Sequence, residues 1–505
     1  MMRLAVLVAF GMAAIGASVA MAQQAKVLPN AFFAMDTGLR DGKHGSPEAR
    51  AAVLAELGYA GSDHSGTGNL PATLKAYEAK GIKLFGIYVG LDIDSDKVDP
   101  GLARAIGQLK GTGAFLWAAV RSKKFKASDL AGDDAAAALL TKLADLAEPA
   151  GVKIALYPHT GFWIERPEDA ARVAKKVGRK CVGATFNLCH WLKVDGKDLE
   201  ATLRGIAPQL SVVSINGADY AGKNWNTLIQ TLDRGSFDVV RVLRELADLK
   251  YAGPVGLQAY GIKGSSKDNL ARSMAAWKRL SALAAAARER LLAGGDLAAF
   301  RGDTGAWTLA AEVAQDAKNA KMLAWKPGTG ALVNGPKGRT RNLFTKFEHG
   351  DCDAHVEFMV PKGSNSGVYF QGRYEIQILD SWGVKKPAHG DCGGIYQRWG
   401  KGKGYEGRPP RVNAAREPGR WQTFDVTFRA PRFGADGKKT ADACFVKVVH
   451  NGVVVHENEP VTGPTRAAAF RDEKPAGPIM LQGDHGPVAY RNLWLVPRKL
   501  EAKAR

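Results

Sequence analysis

The chain has 505 residues, of which 46% are hydrophobic and 24% are charged, and its formal net charge is +20 at pH 7. That length suits two or three domains, and that apolar fraction is sufficient for ordinary cores. Lys and Arg are scattered along the chain rather than gathered into one stripe, and no nucleic-acid-binding motif accompanies them. The charge therefore predicts a solvated basic surface and no nucleic-acid partner, with attraction to anionic glycans or to the cell envelope as the alternative.

The first residues have the pattern of a secretory signal peptide. A charge at Arg3 precedes an apolar run that ends in the small residues Ala20 and Ala22, so we predict that residues 1–22 are removed by cleavage after Ala22. A retained membrane anchor is the alternative, although glycines interrupt the apolar run. No later segment is long and apolar enough to span a bilayer. We therefore expect a periplasmic or secreted protein without a membrane span in the mature chain.

The five cysteines do not have metal-like CxxC spacing. Cys181 and Cys189 are predicted to lie on one strand, where their separation exceeds the reach of a disulfide. A disulfide framework is therefore not needed, and a pair among the three C-terminal cysteines stays open.

Residues 26–280 repeat a short apolar run followed by an amphipathic helix eight times. The predicted strands are Ala31–Met35, Tyr59–Ser62, Lys83–Val89, Ala114–Val120, Lys153–Tyr157, Gly183–Leu188, Leu210–Ile215 and Pro254–Gln258. Eight β-then-α units are typical of a (β/α)8 TIM barrel. A doubly wound open sheet is the alternative, but no GxGxxG motif follows the first strand.

Polar residues follow these strands, where catalytic groups of TIM barrels lie. We select as candidate substrate-binding residues His159, His190, Asn187, Asn216 and Gln258. A single His is more often structural than chemical, but two on adjacent strand ends raise the chance that one binds sugar hydroxyls or carries a proton. A noncatalytic barrel fits the same residues.

The runs Gly58-Tyr59-Ala60-Gly61 and Gly256-Leu257-Gln258 occur at positions where a known superfamily of barrels has similar residues. Over residues 28–280 the chain resembles the xylose-isomerase-like barrels, which include sugar-phosphate isomerases and epimerases. The resemblance implies a divalent metal held by a Glu, an Asp, a His and a Glu on strands five to eight. The corresponding residues here are neutral, namely Tyr157, Asn187, Asn216 and Gln258. We therefore assign no metal ligands and expect no cofactor, and a divalent metal in the barrel is disfavoured.

The composition and the apolar pattern of the sequence change after the barrel. Ser281–Gly295 contains an alanine-rich run that predicts a helix, so residues 281–296 are taken as a helical linker. From residue 297 to residue 498 the chain has short alternating strands, frequent Gly and Pro, and turn pairs such as Asn451-Gly452. That pattern predicts an all-β sandwich.

Residues 364–380, SNSGVYFQGRYEIQILD, combine a glycine turn with a strictly alternating strand. Ile376 and Ile378 fall on a core face, and Glu375 and Gln377 fall on the other face, which we expect to be open. With Gly393-Gly394-Ile395-Tyr396 and Leu481-Gln482-Gly483-Asp484-His485-Gly486, this stretch resembles the signature of the 3-keto-disaccharide hydrolase family. The resemblance covers about residues 297–498 and implies a lectin-like, concanavalin-like sandwich of the jelly-roll type.

That family acts on sugars oxidised at C3, where the ketone acidifies the proton on C2. A base can then cleave the glycosidic bond by elimination, and water can add to the resulting enone, unlike ordinary glycoside hydrolysis. We predict as catalytic residues Glu375, His485 and Asp380, and as further substrate-binding residues Arg373, Gln377, Tyr396 and Gln482. Arg373 is expected either to stabilise an enolate or to pair with Glu375. Which residue removes the proton stays open.

The leading hypothesis is an exported enzyme that cleaves 3-keto-glycosides in its C-terminal sandwich, with an oxidised oligosaccharide or glycoside as its partner. A noncatalytic carbohydrate-binding protein is the alternative, because lectin-like sandwiches often bind glycans without changing them. A sugar isomerase or epimerase acting through the barrel is the third hypothesis. The neutral residues at the metal positions argue against it.

Overall fold

The computed structural model describes residues 27–220, 222–286, 288–292 and 296–501. The predicted signal peptide, residues 1–22, lies outside these ranges. Among the helices that the structure describes, none has both the length and the apolar character needed to cross a membrane.

The N-terminal half is a closed barrel of eight parallel strands in sequence order. The strands are β1 Phe32–Ala34, β2 Gly61–Ser65, β3 Lys83–Asp92, β4 Phe115–Arg121, β5 Lys153–Leu156, β6 Val182–Asn187, β7 Leu210–Ile215 and β8 Val255–Leu257. Strand β1 closes the barrel against β8, with Phe32 opposite Val255 and Ala34 opposite Leu257. The TIM-barrel prediction is confirmed, and the open doubly wound sheet is excluded.

Helices surround the barrel. They are α1 Pro47–Leu57, α2 Leu70–Glu78, α3 Pro100–Gln108, α4 Asp133–Ala147, α5 Pro167–Val177, α6 Leu188–Val194, α7 Leu199–Ile206, α8 Trp225–Leu228, α9 Val239–Asp248 and α10 Ser266–Ala285. Local signals set their ends: the Ser46 side chain accepts a hydrogen bond from the Ala49 N–H at the start of α1. Gly58 ends that helix at φ 81°, a left-handed conformation that glycine adopts without strain.

Aromatic side chains fill the inside of the barrel and support its mouth. Phe33, Phe115 and Trp117 form a buried cluster with Tyr157. The Trp117 and Tyr157 rings meet edge to face with centroids 5.0 Å apart, and Trp117 Nε1 donates to Thr185 Oγ1 at 2.9 Å. Because these rings pack against one another, Tyr157 is held with its hydroxyl at the carboxyl end of the strands.

The predicted helical linker over residues 281–296 is wrong. The alanine-rich run continues the last barrel helix, which ends at Ala285, and Glu289–Arg290 forms strand β9, which pairs with the sandwich strand that contains Trp494. Leu291 is buried in the sandwich core. High helix propensity lengthened an existing helix, while burial of Leu291 drew the following residues into a sheet.

The C-terminal half consists of two antiparallel sheets, as predicted. The strands are β10 Phe300–Arg301, β11 Thr308–Gln315, β12 Leu323–Val333, β13 Leu343–His349, β14 Cys352–Met359, β15 Asn365–Phe370, β16 Tyr374–Leu379, β17 Arg398–Gly400, β18 Lys403–Tyr405, β19 Gln422–Arg429, β20 Arg432–Phe433, β21 Lys439–Ala441, β22 Ala443–His450, β23 Val453–Val461, β24 Gly477–Leu481 and β25 Ala489–Pro497. One large sheet has the order β10-β13-β24-β15-β16, and the other has the order β11-β12-β25-β14-β19-β22-β23, with β9 added against β25. Strands β17 and β18 form a separate hairpin, as do β20 and β21.

The cysteines are free thiols, including the three in the sandwich. Cys181 precedes β6 and Cys189 lies in α6. The prediction that these two residues share one strand is therefore wrong, because the strand ends at Asn187 and the chain turns directly into a helix.

The sandwich docks against helix α9 of the barrel through charged and aromatic contacts. The guanidinium carbon of Arg244 lies 4.3 Å from the centroid of the Trp494 ring, and Arg241 Nε lies 3.8 Å from Asp425 Oδ2. Arg288 and Arg290, which flank the start of β9, both pair with Asp248 at the end of α9. The junction between the domains is thus tied to the same helix that forms the interface.

Candidate active site

The hairpin of β15 and β16 carries the sandwich site. Tyr369 lies directly opposite Glu375, and Gly367 lies opposite Gln377. Ile376 and Ile378 are fully buried in the core, as the alternation predicted. The opposite face was expected to be open, yet Glu375 is 2% exposed and Gln377 is 4% exposed.

Additional segments pair with the outer edge of β16. Gly393 donates its N–H to the Gln377 carbonyl at 2.8 Å, and Tyr396 donates its N–H to the Glu375 carbonyl at 3.2 Å. Thr465 Oγ1 accepts from the Glu375 N–H at 3.2 Å. The strand that carries Glu375 and Gln377 is therefore not a free edge of the sheet, although it is the last strand in the sheet order.

Glu375 is a buried carboxyl with an incomplete set of partners. Burial raises its pKa to about 8; hydrogen bonding with the Tyr369 hydroxyl opposes this shift, and the negative charge of Asp484 adds to it. Oε2 is buried and has no hydrogen-bond partner among the residues that the structure describes. A Cβ at Gly367 would lie 2.3 Å from Oε1, so the glycine makes the space that the carboxyl occupies.

Tyr369 connects Glu375 to the end of strand β24. Burial, followed by the charge of Glu375, raises its pKa well above the usual value, so the hydroxyl keeps its proton. Gln482 Nε2 donates to the Tyr369 hydroxyl oxygen at 3.3 Å, and the Gln482 N–H donates to the Gly367 carbonyl at 2.9 Å. The predicted residues Glu375 and Gln482 are therefore brought together through a tyrosine that we did not predict.

His485 lies on the exposed side of this cluster. Its Nδ1 is 2.6 Å from Asp484 Oδ1, and its side chain is 47% exposed. Asp484 was not predicted as a site residue, although its charge acts on both Glu375 and Tyr369. Tyr396 is half-buried and also contributes to the raised pKa of Tyr369. Gln377 Nε2 donates to Asn365 Oδ1 at 3.4 Å.

Arg373 and Asp380 have other partners. Arg373 Nη2 pairs with Asp472 Oδ1 at 3.0 Å, so the expected pairing with Glu375 is wrong. The left-handed conformations of Gln371 and Gly372 make a turn just before β16, and strand parity does not extend through a turn. Asp380 Oδ2 accepts from the Gly363 N–H at 2.8 Å, which stabilises the chain at the far end of the hairpin.

A second candidate site is a cavity of about 380 Å³ at the mouth of the barrel. It is lined by Met35, Asp36, Thr37, Arg40, Asp63, Ser65, Tyr88, Tyr157, His159, His190, Trp225, Ile229, Gln258 and Tyr260. This volume lies in the range of small-molecule sites. His159, His190 and Gln258 were predicted to bind substrate, and all three line the cavity.

The four positions that correspond to metal ligands bond mainly to other protein groups. Gln258 Nε2 donates to the Tyr157 hydroxyl at 3.3 Å, and Asn187 Oδ1 accepts from Cys189 Sγ at 3.1 Å. Asn216 Nδ2 donates to two backbone carbonyls, at 2.8 and 2.6 Å. Asn187 and Asn216, also predicted to bind substrate, are fully buried and are not among the residues that line the cavity.

This donor set does not fit a hard divalent cation, because it lacks carboxylates. In the part of the chain that the structure describes, no group of three or more His, Cys, Asp and Glu side chains is arranged to hold a metal ion.

The two histidines of the mouth lie against each other, with ring centroids 4.1 Å apart. Burial lowers the pKa of both imidazoles, so they are neutral at pH 7. The Thr160 N–H donates to His190 Nδ1 at 3.1 Å, and His159 Nδ1 donates to the Thr160 carbonyl at 2.9 Å. These partners leave His190 Nε2 as a donor and His159 Nε2 as an acceptor.

Two family models match the chain in succession. Residues 103–288 match the xylose isomerase-like TIM barrel, and residues 288–496 match the 3-keto-alpha-glucoside-1,2-lyase-like domain of the 3-keto-disaccharide hydrolase family. The fusion inferred from the sequence is thereby confirmed. No curated protein matches the chain.

Three solved structures resemble one half of the chain each. A provisionally assigned glycosyl hydrolase from Parabacteroides distasonis ATCC 8503 has 27% identity and a TM-score of 0.33, covering 42% of this chain and 84% of its own. The 3-keto-D-glucoside 4-epimerase YcjR from E. coli has 17% identity and a TM-score of 0.41, covering 50% and 99%. The zinc-binding IOLI protein has 14% identity and a TM-score of 0.42, covering 50% and 98%.

Proposed function

We propose that this chain, which joins a xylose isomerase-like barrel to a 3-keto-disaccharide hydrolase-like domain, is an exported enzyme that cleaves 3-keto-glycosides in the sandwich. The observation that carries the proposal is Glu375, a buried carboxyl with a pKa of about 8 beside Tyr369. It lies within the residues that match the 3-keto-alpha-glucoside-1,2-lyase-like domain. Export rests on the signal-peptide pattern of residues 1–22.

The reaction begins with removal of the C2 proton. The Glu375 carboxylate takes this proton, the C2–H electrons pass into the enolate of the C3 ketone, and the enolate expels the C1 oxygen with the leaving sugar. Water then adds at C1 and a proton returns to C2, which yields the free 3-keto-sugar. The His485–Asp484 pair is our candidate for delivering a proton to the leaving oxygen, because it lies on the exposed side of the site.

The environment of Glu375 suits a base that removes a proton from carbon. A raised pKa makes the carboxylate a stronger base than an exposed one, since its charge is poorly solvated. The same shift keeps most of the molecules protonated at pH 7, so the fraction that holds the active carboxylate should increase as the pH rises. Oε2 is buried, so the protein groups that cover it must move before C2 of the substrate can come within reach of the carboxylate.

The test uses the full mature chain with freshly prepared 3-keto-sucrose and 3-keto-trehalose between pH 5 and 9. We expect release of fructose or glucose, and a several-fold slower single turnover when the substrate carries deuterium at C2. Glu375→Gln should abolish most of this release, whereas Glu417→Gln, which alters an exposed carboxyl, should not.

Two outcomes would count against the proposal in different ways. No sugar release at any pH would reject cleavage. Release at equal rates from the C2-protonated and C2-deuterated substrates would retain cleavage but reject deprotonation at C2.

A noncatalytic carbohydrate-binding protein is the second candidate. The observation in its favour is the enclosure of Glu375, which restricts access to the proposed base. Saturable binding of a 3-keto-glycoside that is recovered unchanged after long incubation would support it.

A further inference from the structure

Lysines that are far apart in the sequence meet at the amino end of the barrel. Because the eight strands are parallel, the segment that leads into each strand lies at this end, opposite the mouth. Exposed lysines stand in these segments or at the first position of a strand, namely Lys80, Lys83, Lys110, Lys153, Lys180 and Lys250. We call these six residues the amino-end face.

Acidic residues are scarce on the amino-end face. The segments that lead into β2 to β8 are residues 58–60, 79–82, 109–114, 148–152, 178–181, 207–209 and 249–254. They contain one acidic residue, Glu148, which forms an ion pair with Arg179. Among the described acidic residues in the last turns of the surrounding helices, Glu78 alone lacks an ion pair. The six lysines form no ion pair with any residue that the structure describes, so the face carries a net positive charge.

The other end of the barrel differs, because charges of both signs follow its strands. Residues 92–99, which begin at the end of β3, contain four aspartates and one lysine. Residues 121–126, which begin at the end of β4, contain four basic residues. The two segments are in contact, since the Lys123 N–H donates to Asp94 Oδ2 at 2.6 Å. Of the two ends of the barrel, the amino end is therefore the one with a single dominant sign of charge.

The amino-end face has low relief. Residues 79–82 are sufficient to connect α2 with β3, and residues 178–181 are sufficient to connect α5 with β6. Such short connections do not project far from the ends of the strands. Flexible lysine side chains from separate segments can therefore reach one flat surface at the same time.

The chain that precedes β1 joins the barrel at this same end. Asn30 Nδ2 donates to the carbonyls of Tyr251 and Gly253 at 2.9 and 2.8 Å, which fixes residues 27–31 against the segment that leads into β8. In the sequence, these residues lie shortly after the apolar run for which a retained membrane anchor is the alternative to a cleaved signal peptide. An apolar N-terminal segment is thus attached to the barrel at its basic face.

We propose that the amino-end face docks the protein on a membrane surface that contains anionic phospholipids. Lysine ammonium groups attract anionic headgroups, and each one near such a surface strengthens binding by about fivefold. A membrane fits this face better than a nucleic acid does, because the face is broad and the chain that precedes β1 joins it. In this orientation the mouth of the barrel points away from the membrane. The proposal does not depend on cleavage in the sandwich.

The test measures sedimentation of the full mature chain with lipid vesicles. One set consists of phosphatidylcholine alone, and the other contains equal amounts of phosphatidylcholine and phosphatidylglycerol. We expect binding to the anionic vesicles to be at least about tenfold tighter than to the neutral ones, and to weaken as salt is raised.

Two triple variants separate the position of the charges from their number. The first changes Lys80→Gln, Lys110→Gln and Lys180→Gln on the amino-end face. The second changes the exposed lysines of the sandwich, Lys318→Gln, Lys362→Gln and Lys401→Gln, and so loses the same net charge. The first should weaken binding to anionic vesicles at least about tenfold, and the second less than about threefold. Circular dichroism verifies that both variants are folded.

Cys181 reports on the docked face in the unmodified chain. This thiol is half-buried beside Lys180, whereas the other four cysteines are buried. Its labelling by a neutral maleimide, located by mass spectrometry, should slow several-fold when anionic vesicles are added and should not change with neutral vesicles. The proposal is overturned if the two triple variants lose binding equally, if Cys181 of vesicle-bound protein reacts at the free rate, or if the chain binds heparin but not anionic vesicles.

Discussion

The raised pKa of Glu375 should make the free energy of unfolding depend on pH. In the unfolded chain this carboxyl titrates near pH 4.5, whereas in the folded chain it titrates near pH 8. Between these values the unfolded state gives up its proton and the folded state retains it, so stability falls as pH rises. The slope is about 1.4 kcal/mol per pH unit, and the total loss is on the order of 5 kcal/mol. Below pH 4.5 the effect is absent, and above pH 8 it is complete.

Replacing Glu375 with Gln removes this titration while keeping the size of the side chain. We therefore expect Glu375→Gln to gain several kcal/mol relative to the unmodified chain when the comparison moves from pH 5 to pH 9. The measurement is urea unfolding of both proteins at the two pH values, with Glu417→Gln as the exposed-carboxyl control. An equal difference at both pH values would refute the argument, because it would mean that folding does not shift the titration of Glu375.

Three further predictions concern the same two sites. Gly367→Ala should lower turnover of 3-keto-glycosides at least tenfold, because its Cβ would force the Glu375 carboxyl to move; unchanged steady-state kinetics would contradict the observed packing. Tyr369→Phe removes a hydrogen bond that lowers the pKa of Glu375, so the rising limb of the pH–rate profile should move to higher pH; a move to lower pH would reject this role. Added Mn²⁺ should hardly change the melting temperature of the full chain, and Tyr157→Glu combined with Gln258→Glu should strengthen Mn²⁺ binding, as measured by calorimetry. Binding by the unmodified chain tighter than about 1 µM, or roughly 8 kcal/mol, would be inconsistent with the neutral ligand positions.

The barrel could be predicted from the sequence because its signals are local and repeated. Each strand is a short apolar run, and in each helix apolar residues recur with the period of an α-helix. Glycines such as Gly58 mark helix ends. The joint between the domains could not be predicted in the same way. Propensity favours a helix through the alanines, but it does not reveal that Leu291 finds a buried position in the sandwich.

In the sandwich site, too, local sequence patterns predicted the strand but not its contacts. Alternation correctly separated Ile376 from Glu375, because the two residues lie on a regular strand. The partner of Glu375 depends on the register of the hairpin, and that register is set by the turn at Gln371 and Gly372. Three residues, Gln371, Gly372 and Arg373, separate the paired Phe370 and Tyr374, which places Tyr369 opposite Glu375. A two-residue turn at Gln371 and Gly372 would have placed Val368 there instead, and the alternation of the strand does not distinguish the two loop lengths.

The direct passage from α10 into β9 limits how the two halves of the chain can cooperate. Only Ala286, Ala287 and Arg288 separate the last helix of the barrel from the first strand of the sandwich, and Arg288 is anchored to Asp248. The two halves therefore lack a tether long enough for one to swing toward the other. If the sandwich cleaves a sugar as proposed, no swing of that half could carry the product to the barrel, so a trapping reagent in solution should intercept any product that passes between them through solvent.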